Sequence, residues 1–196
     1  MDEILESYQH NITEDLLIIT DFQNVYLPDK PWACPTIKRS MINTINIIEM
    51  EHSLEYVITR YIAPQDPKGA WKNYNKAYYD INSDKSLSDF PDMIKELVTS
   101  ENVITKDTYS SLKCGQIKSY LKGKKRIILT GVVAECCILS TMMEAIDLGY
   151  EVVYLYDCIS GCTSANESII RDLAESFSPI HTKVMNSNEY LQCIKV

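Results

Sequence analysis

The stretch RIILTGVVAECCILSTMMEAIDLGYEVVYLY, residues 126–156, decides the fold of this chain. It opens with a short apolar run, Arg126–Thr130, continues through a helix-forming segment, Glu135–Leu148, and closes with a second apolar run, Glu151–Tyr156. Continuous apolar runs of this length are typical of strands buried on both faces. A helix between two such strands is the repeating unit of a parallel sheet. The stretch therefore predicts a β-α-β unit.

The same alternation continues in both directions along the chain. Further strands are predicted at Leu16–Thr20, Tyr56–Tyr61, Asn102–Thr105 and Ile180–Val184. Further helices are predicted at Thr36–Glu51, Asp89–Thr99, Leu112–Lys122 and Ser164–Ser176, with Thr163 as N-cap of the last. We therefore expect a three-layer α-β-α fold of the α/β class. Its middle layer is a doubly wound, mainly parallel, six-stranded, Rossmann-like sheet. We expect a single domain over residues 1–196.

Composition and charge exclude several classes of protein. Of the 196 residues, 45% are hydrophobic and 23% are charged, which is ordinary for a globular domain. The formal net charge of −8 argues against nucleic acid or an anionic membrane as a partner. No apolar run reaches the roughly 18 residues of a membrane helix, and the acidic first residues do not resemble a signal peptide. Seven cysteines, an odd number, favour a reducing compartment, so we expect a cytoplasmic protein.

The stretch 63–89 interrupts the alternation. It contains Pro64, Pro67 and Gly69, so turns are expected to dominate it. It also carries four aromatic residues: Trp71, Tyr74, Tyr78 and Tyr79. A loop this long is usually either functional or a contact surface. The sequence leaves both possibilities open, a lid over the site or a surface between subunits.

The residues that follow the predicted strands carry reactive groups. Asp21 ends the first strand, Lys106 follows the third, and the adjacent thiols Cys136 and Cys137 begin the helix after the fourth. Ligands of open parallel sheets bind beyond the carboxyl ends of the strands. Singly, these residues are most simply a turn residue, a solvated lysine and core cysteines. Together they favour an activated cysteine nucleophile, whose alkylation is expected to be fast well below pH 8.5.

Three segments resemble, in order, the motifs of the isochorismatase-like cysteine hydrolases. They are LLIITDFQNVY (16–26), VITKDTYSSL (103–112) and ILTGVVAECCILSTMMEAIDLGYEVVYLYDCISG (128–161). The resemblance implies an isochorismatase-like fold with a catalytic triad of Asp21, Lys106 and Cys137. Cys137 is chosen over Cys136 because the family nucleophile stands six residues after the motif glycine, here Gly131.

The resemblance also implies the details of the chemistry. A cis peptide bond is implied between Val132 and Val133, with the N–H groups of Val133 and Cys137 forming the oxyanion hole. The implied reaction is hydrolysis of a small amide or ureido C–N bond through a thioester, without a cofactor. The implied assembly is a homodimer or homotetramer.

The chain departs from two branches of this family. Nicotinamidases carry an aspartate and histidine set that binds a metal, but TRYIAPQDPKGAW (59–71) contains no histidine. We therefore expect no metal site, and nicotinamide is disfavoured as substrate. True isochorismatases lack the nucleophilic cysteine, so hydrolysis of isochorismate is also disfavoured.

Residues near the strand ends and in the long stretch are candidates for the substrate pocket. They are Phe22, Gln23, Tyr26, Arg60, Trp71 and Tyr109. Arg60 would suit a substrate carboxylate but has an alternative role in a structural ion pair, and Trp71 has one in subunit packing. Two other functions are open: a non-catalytic small-molecule-binding protein on this fold, and a thiol-redox protein using Cys136, Cys137 or the Cys158/Cys162 pair.

Overall fold

The computed structural model describes residues 9–195, which form a central sheet flanked by helices. The β-strands are β1 (His10–Asn11), β2 (Asp15–Thr20), β3 (Tyr56–Tyr61), β4 (Val103–Lys106), β5 (Arg126–Val132), β6 (Glu151–Ser160), β7 (Thr182–Met185) and β8 (Ile194–Lys195). The α-helices are α1 (Ile37–Met50), α2 (Trp71–Ala77), α3 (Tyr79–Ser83), α4 (Lys85–Ser88), α5 (Asp92–Lys95), α6 (Leu139–Asp147), α7 (Ser164–Ser176) and α8 (Ser187–Cys193). Shorter turns are the 3-10 segments Ile12–Glu14, Asn24–Tyr26, Ser111–Lys113 and Gly115–Ser119 and the π-helical turn Ala134–Ile138.

The described strands β2 to β7 form a six-stranded sheet in the order β4-β3-β2-β5-β6-β7, with every neighbouring pair parallel. This confirms the predicted α/β class and its doubly wound sheet. The chain moves outward from β2 to β4, returns to the centre at β5, and then moves outward to β7. The direction changes between β2 and β5, where open sheets of this kind bind their ligands. The short strands β1 and β8, which the sequence did not predict, pair separately.

Both faces of the sheet are buried, as the continuous apolar runs predict. Along β2 the side chains alternate between two cores: Leu17 and Ile19 lie in one, Leu16 and Ile18 in the other. Successive residues of a strand face opposite sides, so a strand covered on both faces needs apolar residues throughout. The two cores hold the strand ends, and therefore the site, in place.

Two predicted helices are much shorter in the structure. The segment Leu112–Lys122 forms two 3-10 turns separated at Cys114, whose backbone is extended, and the second begins with Gly115, a poor former of α-helix. The segment Asp89–Thr99 is helical only over Asp92–Lys95, because Pro91 disfavours helical geometry in the residue before it. The predicted helix Glu135–Leu148 begins with the π-helical turn and becomes α-helical at Leu139.

The expectation for residues 63–89 was partly wrong, because the structure places α2, α3 and α4 in this stretch. These helices are only four to seven residues long, and none of their side chains is fully buried. The last predicted strand begins at Thr182 rather than at Ile180, whose side chain is 79% exposed.

Gly131 is needed where β5 approaches β2. Its φ of 115° lies in the region that side chains rarely adopt, and an added Cβ would lie 2.6 Å from the Thr20 nitrogen and closer still to its carbonyl oxygen. We expect Gly131→Ala to lower the free energy of unfolding by roughly 3 kcal/mol or more, since strain adds to a backbone clash. Urea denaturation measures this.

Gly149→Ala is the matched control for that measurement. Gly149 has a φ of 88°, but an added Cβ would meet nothing within 4 Å. It isolates the conformational strain, about 1–2 kcal/mol. Equal losses of stability in the two variants would contradict the role assigned to the close approach of Thr20.

The single-domain prediction over 1–196 stays a prediction, and residues 1–8 and 196, which include most of the acidic N-terminal stretch, lie outside the described residues. Within the described part, the helices are too short or too polar to span a bilayer.

Candidate active site

The predicted triad residues meet where the strand order changes direction. Asp21 follows β2 and Cys137 follows the neighbouring strand β5, so both lie at the same edge of the sheet. Lys106 ends β4, which is separated from β2 by β3. Neighbouring strands lie about 4.8 Å apart, so a side chain from β4 must reach across nearly 10 Å. Lysine is long enough to bring its ammonium group to Asp21.

Asp21 is held from two sides. It is fully buried, and its φ of 53° turns the chain sharply after the strand. Its Oδ1 accepts a hydrogen bond from Thr59 Oγ1 (2.8 Å), and its Oδ2 lies 2.6 Å from Lys106 Nζ. The Thr59 hydroxyl therefore orients the carboxylate toward the lysine. Sequence reasoning missed Thr59, which lies inside β3 rather than at its end.

Lys106 connects the other two residues. Its Nζ lies 3.3 Å from Cys137 Sγ and donates to the carbonyl oxygens of Thr108 (3.1 Å) and Tyr109 (2.8 Å). Burial alone would lower the pKa of Lys106, but the charge of Asp21 and its hydrogen bond to the ammonium group oppose it, and the pKa of Lys106 is raised. The ammonium group therefore stays charged beside the thiol.

The turn that carries Cys137 has unusual backbone geometry. The Val132–Val133 peptide bond is cis, at the position that the family resemblance implied. The Val133 carbonyl accepts from the N–H groups of Cys136 (3.0 Å) and Ile138 (3.2 Å), on either side of Cys137. The Cys137 carbonyl accepts from Thr141 Oγ1 (2.7 Å). These bonds hold Cys137 at the start of the helical segment that includes α6.

The protonation state of Cys137 differs from the expectation. Burial raises the pKa of the Cys137 thiol and the Asp21 carboxylate raises it further, while the Lys106 ammonium only partly opposes them. The helix start and the lysine both favour a lowered pKa of the thiol, but the loss of water on burial opposes them. Cys137 is only 4% exposed, so in the free protein its thiol stays protonated at neutral pH. The structure therefore replaces the expectation of fast alkylation well below pH 8.5 with one of slow alkylation in this state.

Aromatic rings cluster beside the site, around Tyr109, whose carbonyl oxygen accepts from Lys106. Trp71 and Tyr74 from α2 pack against each other (ring centroids 5.1 Å apart), and Trp71 packs on Tyr109 (4.9 Å). Tyr74 also meets Tyr61 edge-on (6.4 Å). We call these four residues the aromatic cover. They adjoin a cavity of about 400 Å³, which is lined by Ala70, Trp71, Tyr74, Thr108, Tyr109, Ser110, Lys113 and Ser140.

The aromatic cover shows where part of the stretch 63–89 packs. Trp71 and Tyr74 contact Tyr61 of their own chain, and the choice between a lid and a surface between subunits stays open. Of the predicted pocket residues, Trp71 and Tyr109 belong to the cover, and Tyr26 joins it through Trp32 (5.9 Å), which packs against Tyr74. Tyr61 and Tyr74 were not among the predicted pocket residues, although Tyr74 belongs to the aromatic residues predicted for the stretch 63–89.

Three other predicted pocket residues make structural contacts, and their role in a pocket stays a prediction. Phe22 is fully buried in the hydrophobic core. Gln23 uses its amide to hold backbone: its Nε2 donates to Tyr61 O (3.0 Å) and Ser88 O (2.8 Å), and its Oε1 accepts from the Tyr61 N–H (2.8 Å). Arg60 lies on the face of β3 opposite Thr59 and Tyr61, where it donates to Thr105 Oγ1 (3.2 Å).

If the aromatic cover limits access, its removal exposes the nucleophile. We expect Trp71→Ala to raise the rate of Cys137 alkylation by iodoacetamide several-fold, because the ring shields a thiol that is almost without solvent contact. Peptide mass mapping of the folded protein at one pH measures the rate. Tyr79→Ala is the matched control, since Tyr79 is in the same stretch but 69% exposed. Equal rates in wild type and Trp71→Ala would show that the ring does not guard the thiol.

The thiols considered for redox chemistry are all reduced in the structure. Cys158 is buried beside Asp157, whose Oδ1 lies 3.6 Å from its Sγ. Cys162 is exposed. Among residues 9–195, no three His, Cys, Asp or Glu side chains are grouped to hold a metal ion.

Comparison with known proteins places this geometry in context. A family model described as Isochorismatase domain matches residues 15–183. Similar solved structures include an isochorismatase-like hydrolase from Alkaliphilus metalliredigens, 22% identical with a TM-score of 0.73, over 94% of this chain and 98% of that one. A cysteine hydrolase from Pseudomonas syringae pv. phaseolicola 1448A is 15% identical with a TM-score of 0.79, over 94% of both chains. An N-carbamoylsarcosine amidase from Thermoplasma acidophilum is 19% identical with a TM-score of 0.67, over 89% of this chain and 97% of that one. At these identities the likeness to solved structures shows the fold.

Proposed function

Because this chain belongs to the isochorismatase family, which is hydrolytic, we propose that it cleaves a small amide or ureido C–N bond through a thioester on Cys137. One observation supports this most strongly. Lys106 Nζ lies 2.6 Å from the Asp21 carboxylate and 3.3 Å from Cys137 Sγ in a buried site. Such a group contains a nucleophile, a base and a fixed positive charge within reach of one another.

In the first half of the proposed reaction, Cys137 attacks the carbonyl carbon of the substrate. Because the thiol is protonated in the free protein, its proton passes to Asp21 as the S–C bond forms. Lys106 stabilises the negative charge that develops on sulfur. The N–H groups of Val133 and Cys137 would donate to the oxyanion.

In the second half, the C–N bond breaks and the leaving amine or ammonia takes the proton from Asp21. Water then attacks the thioester while Asp21 accepts its proton, and the thiol is released in its starting form. The aromatic cover would limit competing water and pack against the substrate. The cavity of about 400 Å³ is suited to a small molecule.

The test is a panel of small primary amides and N-carbamoyl compounds, with release of ammonia or amine as the readout. The proposal expects turnover of at least one compound by the wild type and a mass increase on Cys137 when the reaction is quenched in acid. Turnover that persists without the Cys137 thiol would overturn the thioester mechanism. The predicted homo-oligomer and the exclusion of nucleic-acid and membrane partners stay predictions.

A further inference from the structure

Glu135 stands two residues before the nucleophile and has no part in the proposed reaction. Its Oε1 accepts hydrogen bonds from Asn166 Nδ2 (2.6 Å) and from the backbone N–H of Cys162 (3.1 Å). Both donors belong to residues 161–166, which connect β6 to the first turn of α7. The carboxylate therefore joins the π-helical turn Ala134–Ile138, which follows β5, to the segment that follows the neighbouring strand β6.

The fit around Gly161 gives Glu135 little freedom. A Cβ added to Gly161 would lie 2.8 Å from Glu135 Oε2 and 3.3 Å from Glu167 Cγ. Glu167 in turn accepts from the Gly161 N–H (3.1 Å) and from Ser160 Oγ (3.0 Å). The backbone at Gly161 thus lies between two carboxylates, each of which is hydrogen-bonded to it or to its neighbour. A side chain at Gly161 would have to displace the end of Glu135.

We propose that Glu135 is a positioning residue, which holds the turn Ala134–Ile138 against residues 161–166 and so keeps Cys137 aligned with Lys106 and Asp21. Its kinetic consequence rests on the proposed function. The nucleophile's turn is bonded on its other side through Thr141, whose Oγ1 accepts from the Ser111 N–H (3.0 Å). On the side of α7, Glu135 bonds the same turn to Cys162 and Asn166. A displacement of about 1 Å at a reacting group can cost roughly 100-fold in rate.

The charge of Glu135 has a second effect, on the thiols around it. Burial raises the pKa of Cys136, and the Glu135 charge raises it further. Burial likewise raises the pKa of Cys162 to about 11, with Glu135 as the next cause. Glu135 therefore adds to the effect of burial on two neighbouring thiols, while the charge of Lys106 lies directly beside Cys137. The charge and the hydrogen bonds of Glu135 are separable by substitution.

The experiment compares Glu135→Ala with Glu135→Gln. Glutamine keeps an oxygen that accepts from Asn166 and Cys162, whereas alanine removes both bonds. We expect kcat to fall about 10- to 100-fold in Glu135→Ala with KM within about threefold of wild type, and to recover to within about threefold in Glu135→Gln. Hydrogen–deuterium exchange of peptides covering residues 133–141 should be faster in the alanine variant alone. Alkylation of Cys136 should be faster in both variants, because both lose the charge.

Ile170→Val is the control for a general loss of stability, because Ile170 is a buried residue of α7 in the hydrophobic core. It should lower Tm without changing kcat or the exchange of the turn. The proposal is overturned if Glu135→Ala matches wild type in both readouts, if Glu135→Gln is as impaired as alanine, or if Ile170→Val reproduces the loss. If the wild type hydrolyses no panel compound, the proposed function fails separately. The exchange of the turn then decides the positioning role alone.

Discussion

Cys137→Ala is expected to lower turnover by at least about 10⁴-fold, with no thioester detected in the acid-quenched protein. The reason is that the S–C bond to the substrate cannot form, and the remaining groups only bind and polarise it. Steady-state turnover on the best panel compound and intact-protein mass spectrometry measure the two effects. Substrate affinity should change little, since the alanine leaves the cavity and the aromatic cover intact.

Cys136→Ser is the matched control for that loss. Cys136 is the adjacent thiol, but it packs against the hydrophobic core, whereas the Sγ of Cys137 lies 3.3 Å from Lys106 Nζ. We expect the serine variant to keep turnover within about threefold of wild type. A large loss in Cys136→Ser together with residual thioester in Cys137→Ala would mean that the nucleophile has been assigned to the wrong cysteine.

Asp21→Asn is expected to have opposite effects on catalysis and on thiol reactivity. Turnover should fall by at least about 10³-fold, because the base that takes the thiol proton and returns it to the leaving group is lost. Alkylation of Cys137 at neutral pH should nevertheless become faster. The Asp21 carboxylate raises the pKa of the thiol, so its removal leaves the Lys106 ammonium as the nearest charge and lowers that pKa.

The measurement is the rate of Cys137 alkylation by iodoacetamide across pH, in wild type and in two variants. In wild type the rate should rise only above the region of an unperturbed thiol, about pH 8.5. In Asp21→Asn the rise should move to lower pH, and in Lys106→Met to higher pH, since methionine removes a charge that lowers the thiol pKa. Slower alkylation in Asp21→Asn, with Tm unchanged, would show that the carboxylate already removes the proton in the free protein.

The sequence predicted the parts of the site that depend on strand ends. Asp21, Lys106 and Cys137 each follow a buried apolar run, and the ends of parallel strands meet at one edge of a sheet. Residues inside the strands were not found in this way. Thr59 and Tyr61 both contribute to the site, one through the Asp21 carboxylate and the other through the aromatic cover. Their spacing of two residues in β3 places both side chains on one face of the strand, which can be read from the sequence. That this face contributes to the site depends on which strands lie beside β3.

The predictions were least accurate where turns and short helices compete. Residues 112–122 contain enough apolar side chains for a helix, yet form two 3-10 turns around Gly115. Residues 71–88 carry turn-forming neighbours and no fully buried side chain, yet form α2, α3 and α4. Short helices of this kind are stabilised by tertiary contacts more than by their own propensity. Here those contacts include the rings of Trp71 and Tyr74.

By itself, the sequence determined the alternation of buried strands and helices and the reactive groups that follow the strands. Both depend on local residue patterns, which act within a few positions of the chain. Only the tertiary structure decided the strand order β4-β3-β2-β5. That order makes Lys106 reach across β3 to Asp21, and it depends on packing between residues far apart in sequence. The tertiary structure also decided the state of the nucleophile. Cys137 is buried beside Asp21, and the loss of water raises the pKa of its thiol.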